Sequence, residues 1–431
     1  MSTRVRWLIG GLMFLGGMIN YLDRSALAVA APFITKDLKL DPAELGIVFS
    51  AFSFGYAPFC FFGGWLSDRF GPRRVMGGSM VMWSMFCGLT AAAFNLVSLL
   101  LIRIVFGFAE GPIGSTTNKM VRNWYPHREQ ATAVSVANAG TPLGAALSGP
   151  VVGFLAIAFG WRISFIAITL IGLVWVLFWL GFTTDRPEQN RRLGAEERAV
   201  IAEGQRSQPA ERSGGERLPL GQFLRRPAVL ATAFAFFSYS CILFFFLAWF
   251  PSYLTMAHHL SVKSMSFATM IPWLIGFVGL MAGGPVCDLI FRLTGNPLLA
   301  RKLVLVVCLL ISAAAIALAG RAVTVEGAVA LMATAVFFMY ATGNAYWAII
   351  LDTVEQSRVG GVSGFVHFIA NCGGILAPMA TGFIVQATGS FTSAFLLTGA
   401  IAVLGALGVA VFVRAPRPEF APQPAIPAAR G

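Results

Sequence analysis

The chain contains twelve apolar segments that are each long enough to cross a lipid bilayer, and this feature constrains the fold more than any other. A transmembrane helix needs about 20 mostly apolar residues, and its backbone groups must be satisfied within the segment. Only 12% of the 431 residues are charged, whereas a soluble domain averages about 25%. The sequence therefore predicts an all-α membrane protein with spans 1–12 near residues 7–31, 44–67, 74–93, 95–117, 130–158, 162–183, 228–254, 265–289, 302–320, 325–351, 359–388 and 391–414.

The positions of the basic residues predict how the chain is oriented. With the N-terminus inside, 24 of the 31 Lys and Arg residues lie on the inner side and two lie within apolar segments. The other five fall in outside loops (Lys36, Lys39, Arg162, Lys263, Arg321). This bias follows the positive-inside rule and predicts two cytoplasmic termini. The net charge of +12 then reflects topology, and no nucleic-acid partner is expected.

Two related halves divide the chain. GGWLSDRFGPRR (63–74) is echoed by GGPVCDLIFR (283–292), and NAGTPLGAALSGPVVGF (138–154) is echoed by NCGGILAPMATGF (371–383). Facing repeats of this kind place a ligand site near the membrane midplane between them. The predicted organisation is an N-terminal six-helix bundle, a cytoplasmic inter-domain loop, a C-terminal six-helix bundle and a cytoplasmic tail, at residues 1–184, 185–224, 225–414 and 415–431.

The stretch from Gly64 to Arg74 resembles the signature between helices 2 and 3 of the major facilitator superfamily. NYLDRSAL in span 1, RIVFGFAEGP in span 4, NKMVRNWYP after it, FFFLAWFPSYL in span 7 and ANCGGILAPMATGFIVQATGSF in span 11 resemble its anion:cation symporter branch. That branch includes galactonate, glucarate and hexuronate transporters. The resemblance implies two pseudo-symmetric bundles that alternate access to a central site, in a bacterial inner membrane, with the protein functioning as a monomer.

Four charged residues lie inside the spans, Asp23 and Arg24 in span 1 and Arg103 and Glu110 in span 4. Charges at this depth are costly and usually face a cavity and a partner. By the rise of 1.5 Å per residue, Asp23 and Arg103 fall at similar depth. We expect Asp23 to pair with Arg103, and Arg24 to alternate between Glu110 and a substrate anion. The alternative is an ion-pair network that only joins spans 1 and 4.

The resemblance assigns roles to these charges and adds substrate-binding candidates. Positions matching Asp23 and Glu110 are thought to be protonated during transport, with Arg103 as partner, and the Arg24 position contacts the substrate carboxylate. For each further candidate, substrate binding and packing are both open interpretations; these candidates are Tyr21, Tyr56, Asn138, Thr141, Trp347, His367 and Asn371. Trp249 is a candidate for the same cavity, with packing or interfacial anchoring as its alternative.

Three positions depart from the sugar-acid members of the branch. Thr141 replaces a glutamine, His367 replaces an asparagine and Phe244 replaces a tyrosine. A cavity with fewer amides and hydroxyls holds fewer substrate hydroxyls. A small organic monocarboxylate is therefore expected, with a sugar acid such as a hexonate or hexuronate as the contender.

The signature residues Gly64, Asp68, Arg69, Arg73 and Arg74 lie at the inner membrane edge. Charges there can pair and stabilise helix ends, so these residues are interpreted as a cytoplasmic gate that stabilises the outward-facing state. Asp288 and Arg292 form a weaker echo in the second half.

Catalytic and metal-binding patterns are missing from the sequence: no phosphate-binding loop, nucleophile elbow or metal spacing is present. The sequence predicts a non-enzyme without a cofactor, driven by a proton gradient, whose partners are a small organic anion, protons and the lipid bilayer. Exchange of organic anions remains an alternative because Gly140, Gly144, Gly149 and Gly153 resemble a glycine pattern of drug antiporters. A non-transporting membrane sensor is the second alternative.

Overall fold

A computed structural model describes residues 5–206, 220–354 and 359–414. Twelve helices in these ranges are long and apolar enough to cross a membrane, which confirms the predicted fold class. The segments 207–219 and 415–431, which belong to the predicted loop and tail, lie outside the described residues. The observed spans 1–12 are Val5–Leu38, Pro42–Phe70, Pro72–Leu89, Leu96–Glu110 with Ile113–Trp124, His127–Phe159, Trp161–Phe182, Pro227–Met256, Val262–Thr294, Pro297–Ala319, Val325–Ala341 with Ala345–Thr353, Val359–Thr388, and Thr392–Phe412.

Local sequence signals set the helix ends. Asp41 and Glu44 form a reciprocal capping box at the start of span 2, and Asn95 and Ser98 form another at the start of span 4. Such caps satisfy amide groups that have no partner within the helix. Gly71, between spans 2 and 3, has φ 84°, a conformation that side chains disfavour. The one-residue connection at Gly71 therefore makes spans 2 and 3 run antiparallel.

Spans 4 and 10 are each interrupted part-way along their length. Span 4 breaks at Gly111 and Pro112, directly after Glu110, and span 10 breaks at residues 342–344. Each is the fourth span of its bundle, so the two breaks occupy equivalent places in the two halves. Interrupted helices of this kind line binding sites in transporters.

Two hydrogen bonds that join the bundles lie near one side of the membrane. We call the side where span 1 begins and span 12 ends the terminal side, and the other the opposite side. Near the opposite side, the amide of Ala43 donates to Gln386 (3.0 Å), and the hydroxyl of Ser50 donates to the carbonyl of Ile375 (2.7 Å). Among the described residues, the bundles are thus joined there.

Glycines on span 5 bring helix backbones together on both faces. A methyl group at Gly140 would overlap the carbonyl oxygen of Phe14 in span 1, and one at Gly149 would overlap the carbonyl oxygen of Ser266 in span 8. Small residues allow such close approach. This glycine pattern therefore has a packing role within the fold.

A helix of the inter-domain loop, Ala195–Arg206, docks on the first bundle. Buried Glu197 accepts hydrogen bonds from the backbone amides of Val5 (2.9 Å) and Arg6 (3.2 Å) and from the Arg6 guanidinium (3.1 Å). The carboxylate therefore satisfies free amides at the start of span 1, and the first part of the loop is attached rather than solvated.

Candidate functional site

Arg24 and Glu110 form a buried ion pair between spans 1 and 4. Arg24 Nη2 lies 2.7 Å from Glu110 Oε2, and Arg24 Nε donates to the same oxygen at 3.2 Å. Glu110 is fully buried and Arg24 is 7% exposed. The break after Glu110 ends the first segment of span 4 at this carboxylate. Two donors on one oxygen leave Glu110 Oε1 without a hydrogen-bond partner, so the pair is only partly satisfied.

Aromatic rings surround the Arg24 guanidinium. Its central carbon lies 4.9 Å from the ring centre of Tyr21, 4.6 Å from Phe52 and 4.7 Å from Tyr56. Cation–π attraction of this kind strengthens when water is excluded. The structure therefore brings the predicted residues Tyr21, Tyr56, Arg24 and Glu110 together in one cluster.

Asn20 belongs to this cluster and was missed by the sequence analysis. Its side-chain oxygen accepts from Arg24 Nη2 at 3.4 Å, and the residue is 2% exposed. Its amide nitrogen has no hydrogen-bond partner. Asn20 precedes Arg24 by four residues, a spacing that places both on one helix face. That spacing is the signal that could have identified it.

The expected pairing of Asp23 with Arg103 is wrong as a hydrogen-bonded contact. Both carboxylate oxygens of Asp23 lack a hydrogen-bond partner, as does Nε of Arg103. The Arg103 guanidinium instead lies 4.7 Å from the ring centre of Phe106 and 5.4 Å from that of Phe52.

The sequence ended span 1 near residue 31, but the helix continues to Leu38, so Asp23 lies 15 residues from this end whereas Arg103 lies seven residues from the start of span 4 at Leu96. At 1.5 Å per residue the two side chains differ in depth by about 12 Å, whereas Arg24 and Glu110 fall at the same depth.

Asp23 nevertheless lies in the neighbourhood of charged and polar groups. The residue is fully buried, the indole N–H of Trp83 approaches its carboxyl group, and Arg103 and Glu110 lie near it. Asp23 thus lies beside the Arg24–Glu110 pair without joining it.

In span 5 the two predicted polar residues are less buried. Asn138 is exposed and Thr141 is half-buried, and the Thr141 hydroxyl donates to the Asn138 carbonyl at 2.8 Å. Gly17 of span 1 packs beside Thr141. Both residues lie in the half of span 5 nearer the terminal side, away from the contact between Gly149 and Ser266 of span 8. In that half the side chain of Asn138 is accessible.

The predicted residues of the second bundle belong to an aromatic cluster. The rings of Trp347 and His367 lie 5.7 Å apart, and Phe236 contacts both, at 5.4 Å from Trp347 and 6.2 Å from His367. The Asn371 amide donates to the His367 carbonyl (2.8 Å), so it serves the helix backbone. Trp249 lies elsewhere: it is fully buried and donates to the Pro378 carbonyl.

Three further aromatic residues connect this cluster to the first bundle, and the sequence analysis missed them. Phe236 stacks on Tyr346 at 4.6 Å, and Tyr346 contacts Tyr239 at 5.8 Å. Tyr239 and Tyr340 lie within electrostatic range of Tyr21. Aromatic residues are so frequent in apolar spans that no sequence signal separates these from packing residues.

The predicted gate residues all lie against the first bundle. Asp68 accepts from Lys119 at 2.7 Å, and Asp185 accepts from the backbone amide of Arg73 at 2.8 Å. Arg69 lies over the ring of Trp65. Gly64 is half-buried and Arg74 is exposed at the same edge. Their predicted role in the outward-facing state stays a prediction.

Comparison with known proteins settles the family. Residues 13–350 and 298–430 match the Major Facilitator Superfamily. The chain belongs to the Major Facilitator Superfamily. It is 52% identical over 404 residues to the "Hexuronate transporter" of Bacillus subtilis (strain 168), covering 93% of each protein. It is 31% identical to the "Probable galactarate/D-glucarate transporter GudP" of Escherichia coli (strain K12), covering 95% of this chain and 94% of that protein. These relatives confirm the resemblance to the sugar-acid branch.

Solved structures of the superfamily share the fold. The crystal structure of a D-xylose-proton symporter superposes with a TM-score of 0.74 at 17% identity, over 94% of this chain and 98% of that one. A bacterial homologue of the human lysosomal transporter Spinster superposes with a TM-score of 0.71 at 17% identity, covering 96% of both chains. The two-bundle architecture thus holds far beyond recognisable sequence similarity.

Proposed function

We propose that this protein is a proton-coupled symporter of a small organic anion, and that the anion is a sugar acid. The buried Arg24–Glu110 pair carries the proposal. An arginine offers a carboxylate two parallel hydrogen bonds, and here it is held by an acid that can release it. The relatives named for hexuronate and for galactarate or glucarate favour the sugar-acid contender over a smaller monocarboxylate.

The coupling follows from competition for one guanidinium. A substrate carboxylate that takes the Arg24 donors leaves Glu110 buried without its counter-ion. A buried carboxylate that has lost its partner is strongly disfavoured as an anion, so Glu110 accepts a proton. Substrate and proton then enter together and leave together. Asp23 supplies a second protonatable group, whose carboxyl oxygens lack hydrogen bonds.

Access alternates between the two membrane sides in this proposal. The hydrogen bonds Ala43–Gln386 and Ser50–Ile375 near the opposite side support an access path on the terminal side. With both termini in the cytoplasm, as the basic residues predict, this is an inward-facing state of a monomer in the bacterial inner membrane. The gate from Gly64 to Arg74 engages the second bundle in the other state.

Exchange has less support than symport. The glycines that resemble an antiporter pattern pack span 5 against spans 1 and 8, so packing alone accounts for them. A sensor would bind the substrate without transporting it, so a measurement of substrate flux distinguishes it from a transporter.

The test is uptake of labelled D-glucuronate or D-galacturonate into proteoliposomes under an imposed pH gradient. We expect accumulation that a protonophore abolishes. Glu110→Gln mimics the protonated acid, so it should retain counterflow and lose accumulation against a gradient. Accumulation driven by a sodium gradient, or by Glu110→Gln, would refute proton coupling through this acid. Binding of sugar acids without flux under any gradient would favour the sensor.

A further inference from the structure

The two bundles carry different chemistry in the middle of the membrane. The first bundle holds Asp23, Arg24, Arg103 and Glu110 among its buried residues. In the described residues of the second bundle, 225–354 and 359–414, every Lys, Arg, Asp and Glu lies in a loop or in the first or last two turns of a helix. The second bundle therefore offers no permanent charge at the depth of Arg24.

Aromatic rings take the place of charges on that side. We call Phe236, Tyr239, Tyr340, Tyr346, Trp347 and His367 the aromatic wall. Trp347 and His367 are half-buried, and the Phe236–Tyr346 stack (4.6 Å) supports them. The hydroxyl of Tyr340 is buried, Thr141 of span 5 lies beside it, and Arg24 and Tyr21 of span 1 are near it. The aromatic wall and Arg24 thus belong to one site.

We propose that the site accepts one carboxylate only, and that its substrate is a monoanionic, ring-closed sugar acid. The carboxylate binds Arg24, and the C–H face of the sugar ring packs on the aromatic wall. This inference rests on the proposed transport of sugar acids and adds the charge and the ring form of the substrate.

A second carboxylate would meet no cation. In a dianionic sugar acid bound through Arg24, the far carboxylate is buried against the aromatic wall, and burying an unpaired charge is expensive. Arg103 belongs to the first bundle, and its guanidinium lies against Phe106 and Phe52, not against the aromatic wall. His367 has no permanent charge. Dianions should therefore bind at least about 100-fold more weakly than monoanions.

Open-chain monoanions should bind more weakly than ring-closed ones for a different reason. A pyranose ring presents a compact C–H face to aromatic rings, which favour large flat contacts. An open-chain acid spreads more hydroxyl groups over the same wall, whose polar atoms are confined to the tips of the tyrosines, Trp347 and His367, and buried hydroxyls left without partners are penalised. The Asn371 amide already donates to the His367 carbonyl. We expect about tenfold weaker binding of open-chain acids.

Competition in proteoliposomes loaded for counterflow tests the inference on the unaltered protein. Labelled D-glucuronate is the probe, and D-galacturonate, D-galactonate and galactarate compete at pH 7, where every carboxylate is ionised. D-galacturonate should compete best, D-galactonate about tenfold less well and galactarate at least about 100-fold less well. Galactarate competing within threefold of D-galacturonate would overturn the inference and leave sugar-acid transport standing. If no sugar acid is bound or moved, the proposed function fails as well.

A charge added to the aromatic wall tests the reason for the selectivity. His367→Lys places a cation where the second carboxylate would lie, and His367→Gln is the matched variant that loses the imidazole without adding charge. The ratio of galactarate to D-galacturonate competition should rise at least tenfold in His367→Lys relative to His367→Gln. An equal ratio in two variants with wild-type elution and thermal unfolding would contradict the electrostatic argument. If His367→Lys does not fold, the competition series still decides.

Discussion

Replacing Arg24 by lysine should abolish high-affinity binding although the charge is kept. Arg24 gives Glu110 two hydrogen bonds, reaches Asn20 with a third and lies over three aromatic rings. A lysine ammonium has no planar fork and cannot present two parallel donors to one carboxylate. A substrate carboxylate would use the same donors, so a lysine at this position also loses these hydrogen bonds to the substrate.

The magnitude follows from the contacts that lysine cannot reproduce. One charge-assisted hydrogen bond and part of the cation–π attraction amount to about 2–4 kcal/mol. Because each 1.4 kcal/mol is tenfold, affinity should fall about 30- to 700-fold. The assay is the dissociation constant for D-glucuronate, measured by calorimetry on purified protein.

The control is Arg162→Lys, the same exchange at a half-exposed surface pair with Asp37. It should bind like the wild type, because exposed pairs contribute little. An Arg24→Lys protein that unfolds at the wild-type temperature and binds within threefold of wild-type affinity would refute the bidentate reasoning.

Three further predictions concern the frame around the site. Gly149→Ala should weaken the joint with Ser266 and shift the population toward opening on the opposite side at least about tenfold, or 1.4 kcal/mol, as measured by spin-label distances across that side. Glu197→Gln should lower the free energy of unfolding by about 1–2 kcal/mol, because a neutral amide replaces the carboxylate that binds Arg6; denaturant unfolding measures it. His258 lies in a loop, where burial and the neighbouring His259 lower its pKa, so its contribution to stability is present above its unfolded pKa of about 6.5 and is lost as pH falls through its folded value. His258→Gln should flatten this part of the profile of thermal unfolding against pH.

The first two of these predictions have a control variant, and the third has an outcome that would contradict it. Gly78→Ala adds a methyl group where no atom lies within 4 Å, and should leave the spin-label distances unchanged. In the loop helix Ala195–Arg206, the control is Glu196→Gln, which alters an exposed neighbour of Glu197. An equal loss in the free energy of unfolding in both variants would contradict the docking role of Glu197. If the temperature of unfolding falls with pH in the same way after His258→Gln, groups other than His258 determine this part of the profile.

The sequence by itself determined the membrane architecture. Apolar length fixes the number of spans, because backbone groups in lipid allow little besides helices. The related halves predicted two bundles with a site between them. The charges of spans 1 and 4 were visible because an ionisable residue in an apolar run is rare and costly. The sequence also named Glu110 as one of two alternating partners of Arg24, although its depth argument concerned Asp23 and Arg103.

Only the tertiary structure decided which side chains meet. The sequence paired Asp23 with Arg103 because it ended span 1 near residue 31. The fold continues this helix to Leu38, which places Asp23 at a different depth from Arg103 and leaves Arg103 against Phe106. The aromatic wall is likewise assembled from spans 7, 10 and 11, and each of its rings looks like a packing residue in its own segment. Side-chain contacts between helices depend on the packing of all of them together, and that packing is the physical reason why local sequence could not specify the site.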